Sequence, residues 1–588
     1  MTNTLFSKNT IKKALSIIVS ETAKDCFADL EADFQARIDY TPEFKLGQYA
    51  SPAAMELAKF LKKPPREIAQ TVCEAIKGSK YAEYFESVEI AGPGFLNLKL
   101  SVQVLQFLTS PDFSVQVYLD SIFTLKNEPR ILFEFVSANP TGPLNIVSAR
   151  AAVTGDAICR ILKRGGLNVQ KEYYVNDFGN QVSNLGLSFA YRVLQKNGWE
   201  IALPENCYQG EYILQVLNSL LESDSPDFIQ NLDINSLKSN GEEFEKFLFK
   251  ASEYFSVRAV DFLLETQQQD LFDFRVEFDR FFRESTLHED EKVQQMAIKL
   301  AETGKVYEKD GATYFASTEY NDDKDRVIVR SDGRPTYLLA DIAYHYDKIK
   351  RGFQKIIDIW GPDHHGYIAR LRGALLALNF PEADNTSQEF SVLIVQQVNL
   401  IEDGKPIVMS KRLGQFQTMK DLIEKIPVDA SRYFFITRAM STHLDFDLEL
   451  ALTQSSKNPV YYIQYAFARI NSIFRESSRD ADGYAVFSQD SMQYLNQNLR
   501  AELVYFALRF PELIEDICQS REAHRMATYL HELASLFTKF YHEDENRILK
   551  KINENPVEAD CLLSICWLTA MTLEAGLDLL GITAPREM

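Results

Sequence analysis

Residues 131–181 constrain the fold of this chain more than any other segment. Residues 131–136 are an apolar run of strand length, and the Pro/Gly-rich residues 139–143 interrupt it. Apolar side chains then recur at helical spacing over residues 144–162, a Gly-Gly pair follows, and residues 169–175 give a second strand. This order predicts a βαβ unit with a helix N-terminus at the carboxyl end of its first strand. Backbone N–H groups and the helix dipole there favour an anion such as phosphate.

The remaining sequence predicts further domains around this unit, because 588 residues are too many for one hydrophobic core. Residues 1–115 are typical of a small α+β domain. Residues 125–425 alternate strand-like and helical segments, which predicts a Rossmann-type, doubly wound domain with a helical insertion at about 185–275. Residues 430–588 are helical by pattern. The predicted fold class is therefore multidomain, α/β plus all-α.

Composition limits the partners and the compartment. The formal charge of −20 argues against a protein coated in basic surface, although local cationic patches are enough for contacts with RNA phosphates. The seven cysteines show no paired metal-ligand spacing, which indicates reduced thiols in a cytosolic protein. We expect no membrane-spanning segment, because no apolar run of that length is apparent, and a first helix rather than a signal peptide.

The sequence also resembles a known family. The segments FEFVSANPTGP, GDAICRIL and YYVNDFGNQ are similar to the signature region of bacterial-type arginyl-tRNA synthetases, which are class I aminoacyl-tRNA synthetases. GxYAS, KKPPREIA and GPGFLN resemble the N-terminal domain of that family, and GKPIVMSKRLG resembles the KMSKS loop. The helical C-terminal part is similar to the anticodon-binding domain. The resemblance covers almost the whole chain, and the motifs occur in the order of the family.

One signature departs from the family. The family follows Pro-Thr-Gly-Pro-Leu with His-x-Gly-His, whereas residues 145–148 are Asn-Ile-Val-Ser. Asn145 and Ser148 can donate hydrogen bonds but cannot carry charge, and losing one transition-state donor can cost about 2.7–4 kcal/mol. We interpret the chain as an active ligase in which Asn145 and Ser148 are catalytic, and Lys411, Arg412 and the helix N-terminus carry more of the phosphate charge.

The resemblance implies an arginine pocket made of carboxylates and polar groups. A carboxylate suits the planar N–H donors of a guanidinium. The residues that the resemblance implies for arginine are Glu134, Asn139, Glu284, Tyr337 and Asp341. Tyr337 and Asp341 are four residues apart and should share a helix face.

Two of these carboxylates have ordinary alternatives. Glu134 interrupts an apolar strand, where a buried carboxylate is costly without a partner, so it could instead face water on an edge strand. Asp341 could be a helix-surface acid paired with Lys348 or Arg351.

The resemblance implies an ATP site and no structural metal. The residues implied for ATP are Pro140, Thr141, Gly142, Pro143, Asp363, His364, His365, Met409 and Ser410. His364 and His365 could suggest a metal site, but His345 is the nearest other histidine and no Cys/His cluster accompanies them. We therefore expect Mg²⁺ to enter with ATP rather than through a protein cage.

The resemblance implies tRNA contacts in the N-terminal domain and in the helical C-terminal domain. The residues implied for tRNA are Tyr49, Phe95, Asn97, Tyr461, Tyr465 and Arg469. Exposed aromatic and arginine side chains can stack on bases. The alternative for the C-terminal part is a plain helical bundle with its aromatics in the core, and we expect Phe467 to be a core residue.

These features together predict an arginine–tRNA ligase that uses ATP with Mg²⁺ to form arginyl-adenylate and transfers arginine to tRNA-Arg. The family suggests a cytoplasmic monomer. Two alternatives belong to other classes. The first is a catalytically silent tRNA-binding paralogue, which the change at residues 145–148 motivates, and the second is a nucleotidyltransferase of related fold that acts on a small molecule.

Overall fold

A computed structural model describes most of the chain, and its described residues form two compact units. Described are residues 5–6, 8–31, 33–108, 123, 129–380, 389–407, 418–479, 487–488, 490–495 and 499–588, with the backbone alone for His365. The first unit contains Met1–Leu125, Arg160–Gly166 and Thr453–Met588, and the second contains Lys126–Cys159 and Leu167–Leu452.

The N-terminal part of the first unit is an α+β structure, as predicted. Its elements are α1 (Ile11–Cys26), β1 (Asp39–Tyr40), β2 (Tyr49–Ser51), α2 (Ala53–Leu61), α3 (Pro65–Gly78), β3 (Phe85–Ala91), β4 (Phe95–Leu100) and α4 (Val102–Leu108). The strands form an antiparallel sheet in the order β1-β2-β4-β3. Strand β4 alternates as a half-buried strand should, because Leu96 and Leu98 are buried whereas Phe95 and Asn97 are partly exposed.

The second unit begins with the predicted βαβ segment and its helical insertion. These elements are β5 (Arg130–Glu134), α5 (Ile146–Arg164), β6 (Asn168–Val175), α6 (Asn180–Lys196), α7 (Tyr212–Ser223), α8 (Asp227–Gln230), α9 (Ile234–Ser239), α10 (Gly241–Asp273) and β7 (Arg280–Arg283). Buried side chains of α6, α7 and α10, among them Phe189, Leu217 and Phe255, give the insertion a hydrophobic core of its own.

The second half of this unit completes the main sheet. Its elements are α11 (Ser285–Glu289), α12 (Lys292–Glu302), β8 (Val306–Lys309), β9 (Ala312–Phe315), β10 (Arg326–Val329), α13 (Tyr337–Lys350), β11 (Lys355–Trp360), α14 (Ile368–Ala377), β12 (Glu389–Ile394), β13 (Val398–Glu402), β14 (Lys405–Pro406), α15 (Met419–Lys425), α16 (Val428–Ile436), β15 (Leu444–Asp447) and α17 (Leu448–Leu452). Two smaller sheets have the orders β10-β9-β8 and β14-β13-β15.

The main sheet is parallel and has the order β12-β11-β5-β6-β7. The chain winds outward from β5 through β6 to β7, and then returns to add β11 on the other side of β5. The strand order therefore reverses between β5 and β11. In an open parallel sheet, ligands bind at the carboxyl ends of the strands beside such a reversal.

Helices cover both faces of this sheet, which confirms the predicted doubly wound fold. Glu134 of β5 faces α13, where Lys348 pairs with it. Lys171 of β6 lies on the opposite face and pairs with Asp156 of α5 at 3.0 Å. Gly155 permits the close approach of α5, because a Cβ atom there would lie 2.6 Å from the ring of Phe135.

The C-terminal part of the first unit is helical, as predicted. Its elements are α18 (Pro459–Glu476), α19 (Leu499–Leu508), α20 (Phe510–Ser520), α21 (His524–His542), α22 (Ile548–Glu554) and α23 (Pro556–Leu579). Phe467 of α18 is a core residue, as expected, with 3% of its surface exposed.

Helix α23 corrects the expectation that no apolar run reaches membrane-spanning length. It has 24 residues, its most apolar window has a mean hydropathy of 1.4, and 67% of that window is buried inside the protein. Leu563, Ile565 and Leu573 are among its fully buried side chains. This helix is apolar because it lies at the centre of a helical core.

Candidate active site

A cavity of about 410 Å³ lies at the carboxyl ends of β5 and β11, where the strand order reverses. It contains all the residues that the sequence implied for arginine and one that it implied for ATP. These lining residues are Glu134, Asn139, Glu284, Tyr337, Asp341 and His364. Tyr337 and Asp341 come from the first two turns of α13, as their spacing predicted, and Tyr337 is 60% exposed.

A strained turn follows β5 and forms one wall of this cavity. Val136 and Ser137 both have positive φ angles, 70° and 41°, and the N–H of Ser137 donates to the carbonyl of Phe135 at 3.0 Å. This is a γ-turn centred on a β-branched residue, a conformation that costs on the order of 1–3 kcal/mol. The Ser137 hydroxyl donates to Glu134 Oε1 at 2.8 Å and accepts from the N–H of Tyr174 at 3.1 Å. Hydrogen bonds to two neighbouring strands therefore hold the turn.

Glu134 is buried and paired, so the alternative of an edge strand facing water is wrong. Strand β5 is central in the sheet, and Glu134 is 6% exposed. Its Oε2 accepts from Lys348 Nζ at 2.5 Å. A buried carboxylate in an apolar strand needs such a partner.

Lys348 lies among three potential metal ligands. Ligand atoms of Glu134, His345 and Asp358 lie within 4.8 Å of one another, a spacing that a metal ion could use. Lys348 Nζ is 2.5 Å from Glu134 and 3.1 Å from Asp358, and His345 Nε2 is 2.8 Å from Asp358. The ammonium therefore supplies the positive charge that these carboxylates need. The two carboxylates hold the pKa of Lys348 above its usual value even though burial alone would lower it.

Glu284 and Asp341 are the other two carboxylates of the cavity. Burial raises the pKa of Glu284 to about 7, although the Tyr174 hydroxyl bonds to it. The Asn176 amide, turned to satisfy both of its neighbours, donates to Glu284 Oε2 at 3.0 Å. Burial also raises the pKa of Asp341, whose Oδ2 accepts from the Tyr367 hydroxyl at 2.6 Å. Both groups lie where a ligand cation would favour their charged forms.

The alternative surface pairs of Asp341 are wrong. Lys348 pairs with Glu134 and Asp358, and Arg351 pairs with Glu172 and Asp347. Asp341 instead points from α13 to the lining residue Tyr367.

The insertion supports the Pro/Gly loop between β5 and α5. Tyr212 donates to the carbonyl of Thr141 at 2.6 Å, and Gln267 Nε2 donates to the carbonyls of Gly142 at 2.7 Å and Asn139 at 3.2 Å. Pro140 and Thr141 are buried and Pro143 is exposed. Because the side chains of α7 and α10 satisfy these carbonyls, the loop is fixed without secondary structure of its own.

Asn145 caps helix α5, a role that the sequence interpretation missed. Its Oδ1 accepts from the N–H of Ser148 at 2.8 Å, as an N-cap side chain does. Asn145 also forms an isolated bridge with Thr418, and the carbonyl of Leu144 accepts from the N–H of Met419 at 2.8 Å. The N-terminus of α5 is therefore joined to the residues that directly follow 408–417. Met409, Ser410, Lys411 and Arg412 lie outside the described residues.

The remaining residues implied for ATP follow β11. A 3₁₀ turn over Pro362–Tyr367 carries Asp363 and His364, both exposed, and the backbone of His365. His364 also lines the cavity. This turn begins at the end of a strand that the sheet places beside β5.

The residues implied for tRNA differ in exposure. Tyr49 is 1% exposed and donates to Glu512, so its side chain offers no surface to a partner. Tyr461, Tyr465 and Arg469 lie four residues apart along one face of α18, and Tyr465 is 51% exposed. The Arg469 guanidinium lies over the Tyr541 ring, 4.9 Å from its centroid.

Three family descriptions match successive parts of the chain. Residues 7–100 match the arginyl tRNA synthetase N-terminal domain, residues 116–432 match the catalytic domain of class I (R) tRNA synthetases, and residues 463–588 match the DALR anticodon-binding domain.

Curated relatives match over nearly the full length. The arginine–tRNA ligase of Leptospira interrogans serogroup Icterohaemorrhagiae serovar Lai is 41% identical over 98% of this chain and 97% of the relative. That of Bacillus subtilis is 39% identical over 93% of this chain and 94% of the relative.

Two solved structures are similar to most of this chain. A putative arginyl-tRNA synthetase from Campylobacter jejuni has a TM-score of 0.67 and 34% identity, over 79% of this chain and 95% of that one. The arginyl-tRNA synthetase of Thermus thermophilus has a TM-score of 0.75 over 98% of this chain and 100% of that one, and at 21% identity it supports the fold alone.

Proposed function

This chain belongs to the arginyl-tRNA synthetases of class I, and we propose that its arginine site is the cavity at the carboxyl ends of β5 and β11. The chain is an arginine–tRNA ligase, and its class uses ATP. The observation that carries the proposed site is the meeting of Glu134, Glu284 and Asp341 in one cavity, at the loop that leads into α5.

The guanidinium of arginine binds between Glu284 and Asp341 in this proposal. Burial raises the pKa values of both carboxyls, and a guanidinium between them would stabilise their charged forms. Tyr337 also lines the cavity and is 60% exposed, and Glu134 and Asn139 line it from β5 and the loop that follows. Those two residues suit the α-ammonium and carboxylate of the amino acid.

The ATP phosphates bind at the N-terminus of α5 in this proposal. Because Asn145 Oδ1 accepts from Ser148, the amide of Asn145 still has its N–H donors for a phosphate oxygen. The Ser148 hydroxyl and the helix dipole add to this site. The other proposed ATP contacts come from residues 140–143 and from the turn with Asp363, His364 and His365. The segment with Met409, Ser410, Lys411 and Arg412 completes the proposed ATP site.

The reaction then needs positioning and charge stabilisation more than covalent chemistry by the protein. The carboxylate of arginine attacks the α-phosphate of MgATP and releases pyrophosphate. A hydroxyl of the terminal tRNA ribose next attacks the arginyl carbonyl and releases AMP. Mg²⁺ enters with ATP as part of the substrate. Donors near the phosphates stabilise the charge that develops on them.

The tRNA contacts that we propose use exposed side chains of the first unit. Phe95 and Asn97 share the partly exposed face of β4, and Tyr461, Tyr465 and Arg469 share a face of α18. We leave Tyr49 out because it is buried. We also propose that the ligase acts as a monomer in the cytoplasm.

Substitutions in the cavity test the arginine site. Asp341→Asn and Glu284→Gln should each raise KM for arginine by at least about tenfold, because each removes a charged hydrogen-bond partner of the guanidinium. KM for ATP should change little. Asp347→Asn is the matched control, since Asp347 lies on α13 outside the cavity and pairs with Arg351 and Lys292. An unchanged KM for arginine in both cavity variants would contradict the proposed site.

A further inference from the structure

A row of three carboxylates crosses the centre of the parallel sheet. Asp358 of β11 lies opposite Glu134 of β5, which lies opposite Glu172 of β6. Residues in register on parallel strands point to the same face of the sheet. Glu134 is 6% exposed, and Glu172 and Asp358 are fully buried. Three neighbouring buried carboxylates repel one another strongly unless cations lie between them.

Helix α13 and the residue that follows it supply those cations. Lys348 Nζ bridges Glu134 and Asp358, at 2.5 and 3.1 Å. Arg351, which directly follows the last residue of α13, donates to both oxygens of Glu172, at 2.6 and 2.8 Å. The two ion pairs lie on the same face of the sheet. The carboxylate of the first pair, Glu134, lines the cavity, whereas the carboxylate of the second pair, Glu172, does not.

Both oxygens of Glu134 already have partners. Oε2 accepts from Lys348, and Oε1 accepts from the Ser137 hydroxyl in the strained turn after β5. That turn leads directly into the loop with Asn139 and then into α5. Lys348 is fully buried and does not line the cavity itself, but it is bound to Glu134, which does. Its Nζ also lies 3.4 Å from Nε2 of the lining residue His345.

We propose that Lys348 is a positioning residue for arginine: it fixes the Glu134 carboxylate against the Val136–Ser137 turn, and so sets the end of the cavity that holds the amino-acid group. This inference rests on the arginine site proposed above. It assigns the Glu134–His345–Asp358 cluster a resident cation, the ammonium of Lys348, in the place where such a cluster could otherwise bind a metal ion.

Steady-state aminoacylation of Lys348→Met compared with Arg351→Gln tests this role. Lys348→Met should raise KM for arginine by on the order of tenfold or more while KM for ATP changes less than about twofold. Arg351→Gln is the matched control, because it breaks the neighbouring buried ion pair with Glu172, and neither Arg351 nor Glu172 lines the cavity. A purely structural role would lower the melting temperature of both variants and leave KM for arginine unchanged in both.

Chemical rescue keeps the proposal testable if Lys348→Met folds poorly. Lys348→Ala opens space beside Glu134 and Asp358, so propylammonium should restore low KM for arginine in that variant. Propanol, which has similar size and no charge, should not. Rescue by neither compound, in a variant that melts as a folded protein, would overturn the role of the ammonium.

Glu134→Gln separates this inference from the site on which it rests. If Glu134→Gln leaves KM for arginine unchanged, the proposed arginine site fails at this end of the cavity. If Glu134→Gln raises KM for arginine and Lys348→Met does not, the site stands and the positioning role of Lys348 is wrong.

Discussion

Glu284 and Glu134 line the same cavity, but among the described residues only Glu134 has a cationic side chain as its hydrogen-bond partner. Glu134 has the Lys348 ammonium at 2.5 Å, whereas Glu284 has hydroxyl, amide and imidazole neighbours. Burial therefore raises the pKa of Glu284 to about 7. A ligand cation beside Glu284 would favour its charged form.

Arginine affinity should consequently depend on pH near neutrality. Below pH 7 Glu284 is increasingly protonated in the free enzyme and cannot pair with a guanidinium, so KM for arginine should rise as pH falls from about 8 to about 6. The measurement is KM for arginine over this range. Glu284→Gln should have a high KM that no longer varies with pH. A wild-type KM that stays constant from pH 6 to pH 8 would be incompatible with Glu284 as a guanidinium partner.

The sequence implied six of the residues that line the cavity, but not the partners of those residues. Glu134 stood out because a carboxylate interrupts an apolar strand. Its partner Lys348 is 214 positions away in sequence, and only the sheet and α13 bring the two together. A signal was available, because Lys348 follows Tyr344 by four residues on the buried face of α13. The motifs could not reveal that Tyr49 is buried against Glu512, which is 463 positions away.

Helix α5 depends on its N-terminal cap and on one glycine. Asn145 caps its N-terminus, and Gly155 lies against Phe135. The sequence predicted the strand, loop, helix and second strand in the right order. It placed the first strand at residues 131–136, but strand pairing ends at Glu134 because Val136 and Ser137 adopt positive φ angles. Such a turn is set by hydrogen bonds from other strands, which local patterns do not contain.

The two possible roles of Asn145 can be separated by substitution. Asn145→Ala removes both the cap and the amide donors, and should cost about 0.5–2 kcal/mol of stability as well as activity. Asn145→Ser keeps a good cap and loses the amide donors, so it should unfold like the wild type and still show a lower kcat. Urea unfolding and single-turnover adenylate formation measure these effects. Equal kcat for Asn145→Ser and the wild type would limit Asn145 to its capping role.

Gly155 should tolerate no side chain. Gly155→Ala places a Cβ atom 2.6 Å from the Phe135 ring and should destabilise the protein by about 1–3 kcal/mol. Gly241→Ala is the control, since Gly241 starts α10 with nothing within 4 Å of the added atom. That change should be neutral or slightly stabilising. Melting temperatures of the two variants compare them directly, and equal values would contradict the close packing of α5.

At the scale of the whole molecule, the first unit joins segments from opposite ends of the chain. The Glu512 carboxylate of α20 accepts from Tyr40 at 2.6 Å, from Tyr49 at 3.0 Å and from the N–H of Lys12 at 2.6 Å. The Arg509 guanidinium lies 4.1 Å from the centroid of the Tyr40 ring. Burial raises the pKa of Glu512 to about 7. A single buried carboxyl thus connects the α+β part of this unit with its helical part.

This carboxyl should make stability depend on pH. Between its ordinary pKa of 4.5 and about 7, Glu512 holds a proton in the folded state that it loses in the unfolded state. Its contribution to the free energy of unfolding is therefore complete below pH 4.5 and is lost as pH rises through 7, by up to about 1.4 kcal/mol per pH unit. Glu512→Gln should reduce the difference in melting temperature between pH 5 and pH 7.5. An unchanged difference would show that Glu512 is ionised in the folded protein.

The formal charge of −20 would have pointed away from a nucleic-acid partner, and the family assignment shows why net charge is a weak guide. Binding of tRNA can use local cations and aromatic side chains, and we propose Arg469 and Tyr465 for this role. The order of the motifs predicted the family. The altered residues 145–148 left open whether a ligase survives with no histidine at either end of that segment.

The most direct measurement is the charging of purified tRNA-Arg with labelled arginine and MgATP, by the wild type and by the double variant Asn145→Ala, Ser148→Ala. We predict robust charging by the wild type and a loss of at least about 10²-fold in kcat in the double variant, because two phosphate donors are removed. Charging by the double variant at the wild-type rate would contradict the proposed hydrogen bonds from Asn145 and Ser148 to the ATP phosphates. No charging by a folded wild type that still binds tRNA-Arg would contradict the assignment as an active ligase.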